Sequence, residues 1–362
     1  MAQDKKISEG RLLYDPLFDA AEQALNNPQG VKNNSFARKL IFVVVLAVCI
    51  GVSLFLSFNS LTKDKYQFEN TDAGYIFSEF NGGKTDVCLN IEYVTDKDGV
   101  VQGNTPVTAV RTFAVCCNEY LEYIYIGKDI TAIDFTSFYT CTALRAVYVS
   151  PENEHYASRD GVLYKKENGT LTELVLYPVK NGSYRTAQSL GLSMPENPDD
   201  IYEYRDTLEK NKDRLEKAFD AVGKSYVIEP TVTVIGGLSF SGCSDIEKVT
   251  IPDGVKEIGT LAFLGCSNLN EPNLPDGLER IGSDAFTKCV RLGKVYIPKS
   301  VKEIDHNAFW IIKNGDVPDE QQPTISFELS EESAKSDIKF GTSWHQKNVA
   351  VLYGQTREEA AK

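Results

Sequence analysis

Three consecutive segments, VTVIGGLSFSGCSDIEKVTIPDG from Val232, VKEIGTLAFLGCSNLNEPNLPDG from Val255 and LERIGSDAFTKCVRLGKVYIPKS from Leu278, superpose without a gap at a period of 23 residues. A fourth, VKEIDHNAFW from Val301, starts and then fades. In each unit the first, fourth, ninth, fifteenth, eighteenth and twentieth positions are apolar, as in Leu278, Ile281, Phe286, Leu292, Val295 and Ile297. The last three alternate as a strand does. One unit of this size cannot bury its apolar face alone, so neighbours must stack, each strand pairing with its equivalents in a short parallel sheet. The expected fold is a mainly β repeat solenoid. Gly236, Gly259 and Gly282, with Pro252, Pro275 and Pro298, are expected to form its corners.

The same frame fits an earlier block, with VTAVRTFAVCCNEYLEYIYIGKD from Val107 and ITAIDFTSFYTCTALRAVYVSPE from Ile130. The shared pattern V-x-x-I-G-x-x-A-F-x-x-C-x-x-L-x-x-V-x-I-P resembles the BspA-like leucine-rich repeat family of bacterial and protist surface proteins. The likeness covers most of residues 86–313 and includes NEHYASRDGVLYKKENGTLTELVLYP, residues 153–178, which is similar to an insert of that family. The opening DVCLNIEYVTDKDG looks like the family's entry coil. Two positions depart from the pattern: Asn118 stands where cysteine is usual, and Pro272 takes an inward strand position, where it removes a ladder hydrogen bond. The resemblance implies attachment to host matrix proteins or to neighbouring cell surfaces.

Around the repeats the chain divides into seven regions. Residues 1–39 form a tail in which Asp15 and Pro16 open a short amphipathic helix through Leu17, Phe18, Ala21 and Leu25. From Leu40 to Phe58 an uncharged apolar run of 19 residues is close to the roughly 20 needed to cross a bilayer. No small-x-small cleavage site follows it, so the run is expected to remain as a single transmembrane anchor. Lys32, Arg38 and Lys39 against Lys63 and Lys65 bias the tail toward the cytoplasm and the repeats toward the outside. Residues 59–85 are expected to be a stalk and N-terminal cap, with 66–80 closing the array. Residues 86–182 hold the first repeat block, with a hairpin of 162–166 and 170–177 turned by Asn168 and Gly169. Residues 183–229 break the period, where Asn197 and Pro198 open one helix closed by Gly223. Residues 230–313 are the second block, and 314–362 are expected to shield its last coil.

Chemistry is sparse. The formal charge is −13, which argues against nucleic acid as a partner. The three histidines, His155, His306 and His345, hold no metal-binding spacing, and no nucleophile or phosphate-loop motif occurs. Asp96, Asp98 and Gly99 open like a calcium loop but lack its later ligands. A surface hydrolase would need an acid and base pair that the sequence does not present. Neither cofactor, metal nor catalysis is expected. Of the eight cysteines, Cys141, Cys243, Cys266 and Cys289 occupy the twelfth repeat position, which reads as small apolar filler with free thiols.

Residues between inward strand positions must point outward. There the sequence places Tyr123, Tyr125, Tyr148 and Tyr296, beside Thr250 and Asn273. Tyrosine offers large contact area at small entropic cost, so this strip is the expected ligand face. Two functions fit: a membrane-anchored cell-surface protein for recognition or adhesion, or a non-catalytic structural or sensory subunit of a membrane complex. In the second, the tail helix and the helical insertion would bind the other subunits.

Overall fold

The computed structural model describes residues 65–361, apart from 73, 85, 96–99, 271, 312–323 and 346–348. The tail helix, the run from Leu40 to Phe58 and the pair Asp96 and Asp98 lie outside the described residues. Among the described residues no helix is long and apolar enough to cross a membrane.

Each full coil contributes two parallel ladders where the sequence pattern suggests one. The first runs through the fourth repeat position: Thr170–Leu176 pairs with Val234–Ile235, followed by Glu257–Ile258, Arg280–Ile281, Glu303–Ile304 and Lys339–Phe340. Strands of two residues are too short to show alternation, which hides this ladder in the sequence. The second ladder uses positions seventeen to twenty. In the first block it joins Cys88–Ile91, Tyr123–Ile126 and Ala146–Val149. In the second block it is split: Ser225–Val227 pairs with Lys248–Thr250, and Lys294–Ile297 pairs with Thr324–Phe327 and then Ala350–Leu352. The missing rung is the coil of Pro272, a residue without an N–H to donate.

The third side of each coil is neither helix nor strand. Its backbone is left-handed at the seventh position, at Phe113, Leu238, Leu261, Asp284 and Asn307, and at the eleventh, at Cys117, Thr140, Gly242, Gly265 and Lys288. Most of these are not glycine, so the conformation is strained and must be held by its surroundings. Hydrogen bonds between coils hold it: Leu261, Phe263 and Gly265 donate to the carbonyls of Ser283, Ala285 and Thr287, at 2.8 Å each. Cys117 donates likewise to Tyr139 at 2.9 Å.

The expected corner glycines serve another purpose. Gly236, Gly259 and Gly282 have no left-handed φ. Instead, a Cβ on Gly259 would lie 2.7 Å from the Gly237 nitrogen, and one on Gly282 2.7 Å from the Gly259 carbonyl carbon. They are glycines because successive backbones approach there too closely for a side chain.

Inside, Phe240, Phe263, Phe286 and Phe309 stack with centroids 4.9, 5.2 and 5.2 Å apart, extended by Tyr177 at 4.8 Å from Phe240. The twelfth-position thiols are free and buried, and each reaches back to a carbonyl of the preceding coil. Cys141, Cys266 and Cys289 donate to Val115, Phe240 and Phe263 at 3.0, 3.1 and 3.1 Å. Asn118 replaces cysteine at this position by donating to Gly82 and accepting from Tyr120 and Leu121.

The hairpin is continuous with the first ladder. It has a third strand, Tyr156–Arg159, paired with Val162–Glu167 around Asp160 and Gly161, while Asn168 and Gly169 turn the chain into Thr170–Leu176. All four turn residues take positive φ, as a two-residue hairpin turn requires. Thr170–Leu176 then opens the coil that Ser225–Val227 completes. The helices are therefore inserted within one coil, and the insertion ends at Gly223 instead of at 229.

Three helices replace the single one expected: α1 (Asn181–Ser189), α2 (Ile201–Lys210) and α3 (Lys212–Val222). Asn197 caps a 3-10 turn at Pro198–Asp200 that leads into α2. The break between α2 and α3 is Asn211, whose side chain donates back to the Thr207 carbonyl at 2.8 Å. At the N-terminal end the hairpin Tyr66–Thr71 and Gly74–Phe80 closes the first coil through pairing of its second strand with Val101–Val110. At the C-terminal end Thr324–Phe327 and Ala350–Leu352 extend the second ladder, with α4 (Glu331–Asp337) between them and α5 (Arg357–Ala361) after them.

Candidate interaction groove

The expected tyrosine face is not free. Tyr123 and Tyr125 are 0% and 3% exposed, because the helical insertion folds back over the first block's second ladder. Ile201 and Tyr204 of α2 and Tyr184 of α1 complete a small apolar cluster with both tyrosines and Ala146. The Tyr123 and Tyr204 rings meet edge to face at 6.0 Å, and the Tyr125 hydroxyl donates to the Pro195 carbonyl at 2.7 Å. Tyr148 packs beside Tyr125 at 5.2 Å and stays half-buried. Burial raises the hydroxyl pKa of Tyr123, Tyr125, Tyr148 and Tyr204, and pushes that of Tyr184 up to about 12, so all remain neutral phenols. The buried Tyr123 hydroxyl makes no hydrogen bond to another protein group.

The fourth tyrosine lies apart. Tyr296 is half-buried under α5, with the Arg357 guanidinium 4.5 Å from its ring centre. The same guanidinium donates to the Leu274 carbonyl at 2.9 Å and pairs with Asp276. Burial, then the Glu328 carboxylate, pushes the Tyr296 hydroxyl up to about 12. The structure thus brings three of the four tyrosines together, but as the bed on which an insertion rests. The physical reason is local: an outward aromatic row buries large area, and the amphipathic helices supply a partner from the same chain.

Where the insertion meets the first block it leaves a groove of about 650 Å³. Its floor holds Glu122, whose side chain is 14% exposed between two guanidinium groups, Arg145 at 2.8 Å and Arg205 at 3.0 Å. One wall is apolar, with Leu208, Leu215 and Phe219, and Lys212, Glu209 and Glu216 line the rim. None of the α3 residues is fully buried, so its apolar stripe, Leu215 and Phe219 included, still faces partly into the groove. The groove thus combines apolar side chains with charged ones of both signs.

The sequence carried a sign of this floor. In a solenoid, residues one period apart are spatial neighbours, so opposite charges 23 positions apart should pair. Glu122 and Arg145 do, as do Glu257 with Arg280 and Glu279 with Lys302. Arg205, Lys212 and Phe219 could not be placed this way, since the insertion has no period. Among the described residues no group of three or more histidine, cysteine or acidic side chains could hold a metal.

Residues 101–160 and 216–314 match the model of the BspA type leucine rich repeat region, in six copies. By structure the chain is similar to the pneumococcal vaccine antigen PcpA, at 19% identity and a TM-score of 0.41, covering 71% of this chain and 62% of that protein's length. It is also similar to a leucine-rich repeat protein from Bacteroides ovatus, at 18% identity, 81% and 71% coverage and a TM-score of 0.37. A leucine rich cell surface protein from Faecalibacterium prausnitzii matches at 14% identity, 82% and 95% coverage and a TM-score of 0.33. No curated protein matches the sequence. The repeat pattern, its two ladders and the matched region together make residues 101–160 and 216–314 a BspA-type leucine-rich repeat region.

Proposed function

We propose that the protein is a non-catalytic recognition protein, anchored in the cell membrane by Leu40–Phe58 with the tail inside and the solenoid displayed outside. Its ligand is a protein of the surrounding matrix or of a neighbouring cell. The observation that carries this reading is the groove of about 650 Å³ between the insertion and the first block. A solenoid already presents a long surface. Residues 181–223 build a shaped recess onto it, with an apolar wall beside ion pairs of both signs. A segment with one apolar side chain flanked by charges of both signs matches that lining.

The family's surface proteins support a role in protein binding or adhesion. The acidic balance of the chain supports a protein partner over nucleic acid. Protease treatment of intact cells tests the display. The expected result is cleavage within the solenoid and loss of attachment, with residues 1–39 left intact. Survival of the solenoid while the tail is cut would overturn the reading and favour a subunit of an internally facing membrane complex.

A further inference from the structure

The ionic floor of the groove is unbalanced. Glu122 meets the Arg145 Nε atom at 2.8 Å through its Oε2 and the Arg205 Nη2 atom at 3.0 Å through its Oε1. One carboxylate thus serves two guanidinium groups, and both of its oxygens are engaged. The repeat dictates half of this arrangement, because Glu122 and Arg145 stand 23 residues apart on successive coils. Arg205 comes from α2, outside the period.

Each guanidinium carries five N–H donors. Among the described residues the two Nη atoms of Arg145 and the Nε and Nη1 atoms of Arg205 have no protein acceptor. The Tyr123 hydroxyl, in the field of Arg145, Glu122 and Arg205, is buried without a hydrogen-bond partner among those residues. The floor therefore holds one positive charge in surplus and several donors without an acceptor. Both guanidiniums are only half-buried, so a ligand can reach them.

The rim has the opposite sign. Asp206, Glu209 and Glu216 stand there exposed beside Lys212, and none of the four forms an ion pair among the described residues. Charge complementarity then selects the occupant. A segment rich in acids would meet the rim's carboxylates, and a wholly basic one would leave the guanidiniums without an acceptor. A phosphate group, with close to two negative charges, exceeds the single surplus charge of the floor. A carboxylate matches that charge, and its two oxygens fit the forked donors of a guanidinium.

We propose, on the reading that the groove is the recognition surface, that it binds a single aspartate or glutamate side chain of the partner protein through the free donors of Arg145 and Arg205. The residues flanking that acid are apolar or basic. Apolar ones pack on Leu215 and Phe219, and basic ones pair with Asp206, Glu209 and Glu216. Glu122 is a positioning residue: it holds both guanidiniums in place and, by neutralising one of them, limits the site to one carboxylate.

The test selects phage-displayed random peptides on the immobilised full chain in detergent, then measures synthetic copies by fluorescence anisotropy. The expected sequences carry one acid among basic and apolar residues, and their binding weakens about ten- to a hundredfold when the acid is changed to its amide. On the triple variant Glu122→Gln, Arg145→Gln, Arg205→Gln the acid and amide forms are expected to bind alike, a change of preference that loss of packing alone would not produce. Arg205→Gln by itself should reduce the preference and checks the result should the triple variant fold poorly. Peptides that Phe219→Asp releases, but that bind equally as acid and amide or more tightly with phosphoserine in place of the acid, would overturn the proposal and leave the groove as the recognition surface. Peptides that bind Phe219→Asp as well as the unmodified chain would overturn the reading of the groove itself.

Discussion

The Tyr125 hydroxyl donates to the Pro195 carbonyl at 2.7 Å across 70 residues of sequence, tying the first block's ladder to the insertion that covers it. Tyr125→Phe removes that bond while leaving the ring in place. The expected cost is about 1 kcal/mol, with faster amide exchange in residues 190–204 and unchanged exchange in the ladders. Urea unfolding and hydrogen exchange by mass spectrometry check both. Equal loss of protection in both regions would mean that the insertion and the ladder open as one unit.

Phe286 stands in the middle of the phenylalanine stack and is 0% exposed. Phe286→Ala removes contacts on both of its ring faces and leaves a cavity that the neighbouring coils cannot fill without breaking their hydrogen bonds. The expected loss is about 3–5 kcal/mol, and Phe286→Leu should cost clearly less. Denaturant midpoints at constant m-value measure both.

Gly259 and Gly83 separate close approach from mere flexibility. A Cβ on Gly259 would meet backbone of the preceding coil, at 2.7 Å from Gly237 and 2.8 Å from Gly236, whereas at Gly83 nothing lies within 4 Å. Gly259→Ala is expected to lower stability by more than about 2 kcal/mol, and Gly83→Ala to stay within about 0.5 kcal/mol. Thermal melting of the two variants distinguishes them.

Glu173 sits on the first ladder with Val234 between it and Glu257, and burial raises its carboxyl pKa, opposed by Lys165 and helped by Glu257 and Glu167. Its folded pKa exceeds its unfolded one, so the folded state binds more protons in that window and gains stability as pH falls through it. Glu173→Gln is therefore expected to raise Tm at pH 7, with an advantage that shrinks as pH is lowered toward the ordinary carboxylate range. Melting curves of both forms between pH 4 and 8 would show it. An advantage independent of pH would point to packing instead of charge.

The apolar rhythm of Leu278, Ile281, Phe286, Leu292, Val295 and Ile297 made the solenoid legible, because every coil buries the same positions. Pro272 likewise announced the split of the second ladder. The insertion's docking was not legible. Tyr123 and Tyr125 are outward residues by alternation, and alternation cannot tell solvent from a helix 70 or more residues away that covers them. The left-handed corners at Phe113, Cys117 and Leu238 were hidden as well, since inter-coil hydrogen bonds impose that conformation on residues that do not favour it. The last coils lost the period because longer connections separate Lys294 from Thr324 and Glu303 from Lys339, although the strands still pair.

Under the proposed function, recognition occurs in the groove beside α3 and not on the bare ladder. Val227, on the ladder, is 67% exposed, and Phe219 lines the groove. Attachment of cells displaying the full chain should be measured for Phe219→Asp and Val227→Asp, with melting temperatures to confirm folding. Phe219→Asp is expected to abolish attachment while Val227→Asp leaves it intact. Attachment that survives Phe219→Asp and is lost with Val227→Asp would contradict it.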